Sequence, residues 1–354
     1  MSLESLAERI RDAAARQAPL CLRGGGSKDF YGNEPRGEPL DTRGYAGLVS
    51  YEPTELVVTA RCGTPLAELE AALAKAGQFL PFEPPAFGGA ATVGGCVAAG
   101  LSGPRRASAG ALRDYVLGAK VVDGRGRVLS FGGQVMKNVA GYDVARVFAG
   151  SLGTLGLIAE VSLKVLPRPR AEATLALQAT QAEALERLNR WAGQPLAISA
   201  SAWHDDLLCV RLSGAEAAVR AGAAKLGGEA MEKAAADAFW QSIREQQHAF
   251  FEGTTRLWRL ALPSDAPPLP LPGTQLIEWG GALRWLRGDA DPALIREAAR
   301  TAGGHAMLFR GGKPAPLEPV FSPLDPTVLR LHRELKAAFD PAGILNPGRL
   351  VPGL

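Results

Sequence analysis

The chain predicts an α+β protein of two domains, or of one large domain with an insertion, on three observations. Its 354 residues exceed the usual size of one compact domain. Its middle alternates strand-like and helix-like pieces, the pattern of helices laid on one face of an antiparallel sheet. A proline step, Pro167-Arg168-Pro169-Arg170, separates that middle from a glycine-rich first part, since proline ends a ladder twice there.

The elements follow in order. Leu3, Leu6, Ile10 and Ala14 fall at helical spacing, so the chain opens with an amphipathic helix. Residues 20–22 predict a short strand, and residues 47–50 and 55–60 predict strands around Pro53. Residues 66–76 predict a helix with Thr64 as N-cap, Pro65 at its first turn and Gly77 as its stop. Residues 116–122 and 127–131 predict a hairpin across Asp123-Gly124-Arg125-Gly126. Residues 159–165 alternate as a strand. Beyond the proline step, strands are predicted at 173–177, 197–203, 207–212, 257–262, 275–278, 282–286 and 305–309. Helices are predicted at 182–191, 215–226, 231–251, 292–302 and 327–339. Residues 263–272 are proline-rich and predict a surface connection.

Composition excludes several classes of function. Net charge is +3 from 39 basic and 36 acidic residues, too balanced for a nucleic-acid protein. No run of about 18 apolar residues predicts a membrane span. Residues 1–17 mix both charges and lack the apolar core of a signal peptide. Cys21, Cys62, Cys96 and Cys209 are far apart with no C-x-x-C, which argues against an iron–sulfur or zinc site and for buried thiols in a reducing cytosol. His204, His248, His305 and His332 form no metal motif and predict surface or packing roles, so no metal is expected.

Two segments carry chemistry. Arg23-Gly24-Gly25-Gly26-Ser27-Lys28 follows an apolar run. Three glycines let backbone approach a ligand with N–H groups turned inward, and the cations and hydroxyl add complementary donors, a set that suits a pyrophosphate. The stretch from Thr92 to Gly103 is nearly free of large polar side chains, so a flat ligand could lie directly on backbone. The same stretch also reads as a close-packed helix around Val97-Ala98-Ala99. No G-x-G-x-x-G opens a helix after a strand, and Gly150, Gly153 and Gly156 precede a strand instead, so a nicotinamide site is unsupported. No G-x-x-x-x-G-K-[ST] is present.

The order of Arg23–Lys28, Thr92–Gly103, Gly150–Ile158 and the ending Phe339-Asp340-Pro341 to Asn346-Pro347-Gly348 resembles the FAD-binding domain of the vanillyl-alcohol oxidase / p-cresol methylhydroxylase superfamily. Ser102–Arg106, Arg113–Gly118, Gly132–Asp143 and Val161–Pro167 resemble, more narrowly, the FAD-binding (E) subunits of bacterial glycolate oxidase. The resemblance covers about half the chain. It implies an α+β fold with a two-subdomain FAD-binding domain over 1–168, an antiparallel-sheet-plus-helices cap over 169–320, and a segment, 321–354, returning to the first domain.

The resemblance also implies a cofactor site. The loop Arg23, Gly24, Gly25, Gly26, Ser27 and Lys28 would hold the FAD pyrophosphate. Pro84, Pro85, Thr92, Gly94, Gly95, Ser102, Gly103 and Gly110 would run beside the flavin. Gly153, Thr154, Gly156 and Ile158 would border the adenosine half, and Asn346 the ring end. Apart from Cys96, no histidine or cysteine falls in the segments expected near the ring, so FAD is expected to be non-covalent.

Flavin oxidation of a 2-hydroxy acid needs a proton acceptor and positive charge for the reduced ring and the substrate carboxylate. Arg105, Arg106, Arg113 and Lys137 are the candidates, with surface ion pairing as the competing role for each. Asp143 reads as a helix cap rather than a base. Related 2-hydroxy-acid dehydrogenases carry a histidine and carboxylate cluster that this chain lacks. The chain is therefore expected to relay electrons, or to serve structurally, beside a larger FAD-containing catalytic subunit and an iron–sulfur subunit. It is expected to be cytoplasmic and to reach the inner face of the membrane only through those partners. A self-sufficient flavoenzyme for another small 2-hydroxy acid or alcohol, and a non-catalytic scaffold, are the alternatives. Trp240, Phe250, Phe251 and Trp258 suit either a partner surface or a buried core.

Overall fold

A five-stranded antiparallel sheet organises the first of two units in this computed structural model, which describes residues 1–133, 143–253, 256–311 and 319–354. The first unit comprises Met1–Leu101, Ala111–Pro167 and Pro323–Leu354, and the second Ser102–Gly110 and Arg168–Ser322. In spatial order the five strands are Leu48–Glu52, Val57–Arg61, Leu157–Lys164, Val116–Val122 and Val128–Gly132. The hairpin register pairs Val122 with Val128 across the Asp123-Gly124 turn. Asp123, fully buried, holds that turn by accepting from the Arg125 and Arg127 amides at 2.9 Å each.

Beside that sheet lies a two-stranded parallel one, Leu20–Arg23 with Glu38–Asp41. The chain's end extends it. Leu20 N–H donates to the Ile344 carbonyl at 2.7 Å, and Asn346 N–H donates to the Leu20 carbonyl at 2.9 Å. Helix Leu3–Ala15 covers this region with Leu6, Ala7, Ile10 and Ala13, one stripe at helical spacing. Ser2 and Ser5 close its start as a reciprocal cap.

The main core of the first unit joins Leu66, Leu69 and Leu73 of helix Leu66–Lys75 to Val93, Cys96 and Val97 of helix Val93–Ala99 and to the sheet strands. Each fully buried leucine contributes about 1.5–3 kcal/mol. Thr92 caps the second of these helices, accepting from Gly95 N–H at 3.3 Å. Gly100 ends it in the left-handed region at φ +64, where a side chain would also meet the Gly150 backbone at 2.7 Å.

The second unit is built on an eight-stranded, wholly antiparallel sheet. Its spatial order is Glu229–Ala230, Ala171–Gln178, Leu207–Gly214, Ile198–His204, Thr274–Glu278, Leu283–Arg287, Leu257–Ala261 and His305–Arg310. Helices Gln181–Ala192, Glu216–Leu226 and Pro292–Thr301 bury Leu185, Val219 and Ile295 into its two clusters.

Three local expectations are corrected. Thr64 does not cap helix Leu66–Lys75. Its hydroxyl bonds Gly47 instead, accepting from the amide at 2.9 Å and donating to the carbonyl at 3.1 Å, and Pro65 occupies the cap position. The helix expected over 231–251 spans only Lys233–Arg244, because Gln246 turns into the left-handed region at φ +54. Asp143 precedes the turn Val144–Phe148 without a capping bond and pairs with Arg146 at 2.8 Å.

Candidate functional site

The glycine turn sits where the parallel two-stranded sheet ends. The carbonyl of Arg23 is held by Thr42 through its amide at 3.0 Å and its hydroxyl at 3.2 Å. Just upstream, Leu22 N–H donates to the Asn346 side-chain oxygen at 2.7 Å. The turn therefore leaves a strand whose end is fixed on both sides. Gly24 lies against Thr92 and Gly25 against the Ala90 carbonyl so closely that any Cβ at either position would overlap them. This is where glycine is required for contact rather than for a turn. Among the described residues, none accepts a backbone hydrogen bond from Gly24, Gly25, Gly26 or Ser27. Four successive donors are thus available to an anion.

The cations of the turn are anchored. Arg23 donates to Asp29 at 2.8 Å, and its half-exposed guanidinium pairs with that carboxylate at 2.6 Å. Lys28 donates to the Ala86 carbonyl and the Ser27 hydroxyl at 3.3 Å each, and lies 5.4 Å over the Phe87 ring. Through Lys28 the glycine turn meets the loop carrying the buried Pro84 and Pro85. Arg349 fixes the far side by donating to the carbonyls of Asp29 at 2.9 Å and Asn33. Burial lowers the Arg349 pKa from its ordinary value.

A small, open cleft of about 60 Å³ lies beside this turn. Of the expected site residues, Arg23, Gly24, Gly94, Gly95, Gly153, Gly156, Ile158 and Asn346 line it. Segments far apart in sequence are thereby brought to one place. A Cβ at Gly94 would meet the Cys62 side chain at 2.6 Å, and one at Gly153 would meet the Asn346 amide at 2.7 Å. Ala98 also lines the cleft, as do Thr42 and Cys62, which were not anticipated. Thr42 and Cys62 had no motif to mark them, because each serves the cleft through its place after a strand. Ala98 lies inside the small-residue stretch that did carry the signal. The lining offers backbone, hydroxyl and one guanidinium, with no carboxylate, a donor set that fits a phosphorylated dinucleotide.

Two expected positions differ. Asn346 was expected at the ring end and Gly153 along the adenosine half, yet the two touch. Both polar atoms of Asn346 are spent on backbone: Oδ1 accepts from Leu22, and Nδ2 donates to the Leu152 carbonyl at 2.6 Å. Thr154 faces a different cleft, with Ser151, Lys336 and Val351, and its hydroxyl donates to the Ser151 carbonyl at 2.8 Å.

Ser102, Gly103 and Gly110 belong to the second unit. Gly103 O accepts from the Trp279 indole at 3.0 Å, and Gly110, at φ +100, ends the short helix Arg106–Ala109. Among the cationic candidates, Arg105 is buried and pairs with Glu172 at 2.6 Å. Arg106 lies 4.5 Å over the Trp279 ring. Arg113, on the first unit, is exposed and pairs loosely with Asp114 at 3.8 Å. Lys137 lies outside the described residues. Trp240, Phe250, Phe251 and Trp258 are core residues, each under a tenth exposed, and so form no partner surface. Among the described residues no three His, Cys, Asp or Glu groups gather as a metal site. His204 and His248 do meet, ring centres 5.8 Å apart, and burial depresses the His248 pKa. All four cysteines are free thiols. Burial pushes Cys62 and Cys209 up to about 11 and Cys96 up to about 12, so none of the three is a ready nucleophile.

Comparison with known proteins places this geometry in context. Residues 1–132 match the family described as FAD binding domain, and residues 322–350 match FAD linked oxidases, C-terminal domain. Over 347 residues the chain is 49% identical to the glycolate oxidase subunit GlcE of Escherichia coli strain K12, covering 98% of this chain and 97% of that one. It is 32% identical over 161 residues to the glycolate oxidase subunit GlcD of Bacillus subtilis, 45% of this chain and 34% of the relative. It is 31% identical over 181 residues to a D-lactate dehydrogenase of Archaeoglobus fulgidus, 49% of this chain and 39% of the relative. A solved alkyldihydroxyacetonephosphate synthase shares the fold with a TM-score of 0.71 at 17% identity, covering 98% of this chain and 76% of that one. Among the described residues no helix is long and apolar enough to cross a membrane.

Proposed function

Because the chain belongs to the family of the glycolate oxidase subunit GlcE, we propose that it is the FAD-binding subunit of a multisubunit enzyme that oxidises glycolate to glyoxylate. The carrying observation is identity of 49% running through 98% of the chain. Its class is that of an FAD-dependent oxidoreductase subunit acting on hydroxy acids. In this reading the first unit holds the cofactor and the second forms a cap. The amides of Gly24–Ser27 take the phosphates, Gly153 and Gly156 give a flat wall, and Asn346 keeps that wall joined to the strand beneath it. Bound FAD supplies a two-electron acceptor. Cys96, buried in the core, is withheld from the cofactor, which supports a non-covalent complex.

The same reading makes the chain a relay or structural flavoprotein beside a larger FAD-containing catalytic subunit and an iron–sulfur subunit. Support comes from the candidate cations. Arg105 is committed to Glu172, and Arg113 points to solvent. Association with a membrane would then run through the partners. The test is an absorption spectrum of the purified chain, alone and with its partner subunits, before and after glycolate. The expected result is flavin bands that bleach only in the complex. Rapid bleaching of the lone chain refutes the relay role, and a protein that stays colourless after adding FAD refutes the cofactor.

A further inference from the structure

We propose that the buried Lys336–Asp340 pair is a positioning device for the cofactor cleft, holding the segment that carries Gly153 against the segment that carries Asn346; this rests on the FAD reading above. Lys336 is the one buried residue of helix Pro326–Phe339, whose other described side chains are half-buried or exposed. All three of its ammonium donors are used. They go to the Thr154 carbonyl at 2.8 Å, the Leu345 carbonyl at 2.7 Å and Asp340 Oδ2 at 2.7 Å. Asp340 Oδ2 in turn accepts from the Leu345 amide at 2.7 Å.

These contacts reach two segments that line the cleft. Thr154 lies between Gly153 and Gly156, which line it. Leu345 precedes Asn346, which lines it as well, touches Gly153 and bridges Leu22 to Leu152. One ammonium therefore grips both segments. Stability alone gives a poor account of this arrangement. A buried ion pair is often no better than an apolar pair of similar volume. An apolar pair cannot hold two carbonyls and an amide at set distances. Gly124 closes the far side: its N–H donates to the Phe339 carbonyl at 2.9 Å, and any Cβ there would overlap Asp340.

The test measures FAD affinity by flavin fluorescence titration into FAD-stripped full-length protein, well below each variant's unfolding midpoint. Lys336→Met removes the grip, and Gly124→Ala displaces Asp340 without changing charge. Leu73→Ala is the control, since it costs about 2–5 kcal/mol in a core helix that makes none of these contacts. The expected result is binding weakened about tenfold or more in Lys336→Met and Gly124→Ala, and unchanged in Leu73→Ala. If Lys336→Met does not fold, the double variant Lys336→Met with Asp340→Leu carries the test, because it leaves no lone buried charge. Wild-type affinity in the Lys336 and Gly124 variants overturns the inference, as does an equal loss in Leu73→Ala. Wild-type protein that takes up no FAD overturns the cofactor reading itself and takes this inference with it.

Discussion

Replacing Gly25 with alanine should abolish most FAD binding while sparing the fold. The added methyl would overlap the carbonyl carbon and oxygen of Ala90, which are backbone and cannot swing aside. The turn itself must shift. Overpacking of this kind costs about 1–3 kcal/mol. Part is returned, because alanine restricts the unfolded chain and is worth about 0.4–1 kcal/mol at a compatible backbone geometry. The net loss of stability is then at most about 2.6 kcal/mol, a fall of several degrees in the unfolding midpoint. Binding is hit harder. Hydrogen bonds to a charged partner are worth about 1.5–3 kcal/mol each, so misaligning two of the amides at Gly24–Ser27 costs about 3–6 kcal/mol. That is a hundredfold or greater rise in Kd. Flavin fluorescence titration reads the affinity, and calorimetry of the FAD-free protein reads the fold. Gly89→Ala is the matched control, since a Cβ there meets nothing within 4 Å. Wild-type affinity in Gly25→Ala would show that the phosphates rest elsewhere.

Three further outcomes are expected. Asn346→Asp sets a carboxylate oxygen against the Leu152 carbonyl where the amide now donates, and should cost about 1–3 kcal/mol; an unchanged unfolding midpoint at pH 7 contradicts it. Alkylation of the native protein near pH 8 should reach Cys21 first, with Cys62, Cys96 and Cys209 labelled only after unfolding, as mass spectrometry of the peptides would reveal. Burial, and then the hydrogen bond to Glu160 at 2.6 Å, hold the Tyr45 phenol at about 12, above its ordinary 10. A raised folded-state value means its contribution is complete below pH 10 and lost between pH 10 and about 12, so Tyr45→Phe should flatten that limb of the stability curve.

The sequence signals that worked were those with a local cause. Strand alternation and the Asp123-Gly124 turn each depend on near neighbours, and each appears where periodicity and turn chemistry put it. The middle domain's strands and helices were readable for the same reason, although its sequence carried no recognisable motif. What failed depends on distant partners. Thr64 looks like a cap until Gly47, seventeen residues earlier, takes its hydroxyl. Trp240 and Phe250 look equally suited to a surface or a core until the eight-stranded sheet encloses them. Asn346 was named through the family resemblance of the ending Asn346-Pro347-Gly348. Its neighbours were not, because Leu22 and Leu152 lie 324 and 194 residues away.

The cations make the same point from the energetic side. A basic residue near glycines suggests an anion site, but a guanidinium inside a fold must first be compensated. Arg105 finds Glu172, Arg349 finds backbone carbonyls, and Lys336 finds Asp340. Among the described residues, Arg23 is the only expected cation that lines the cleft, and Asp29 already shares its charge. Net attraction for a dinucleotide therefore falls chiefly on uncharged backbone donors. Such donors act at contact distance and are screened less by salt than exposed charges are. FAD affinity should accordingly change little between 50 mM and 500 mM salt, measured by the same titration. A steep loss of affinity over that range would place the binding energy on Arg23 and Lys28 instead.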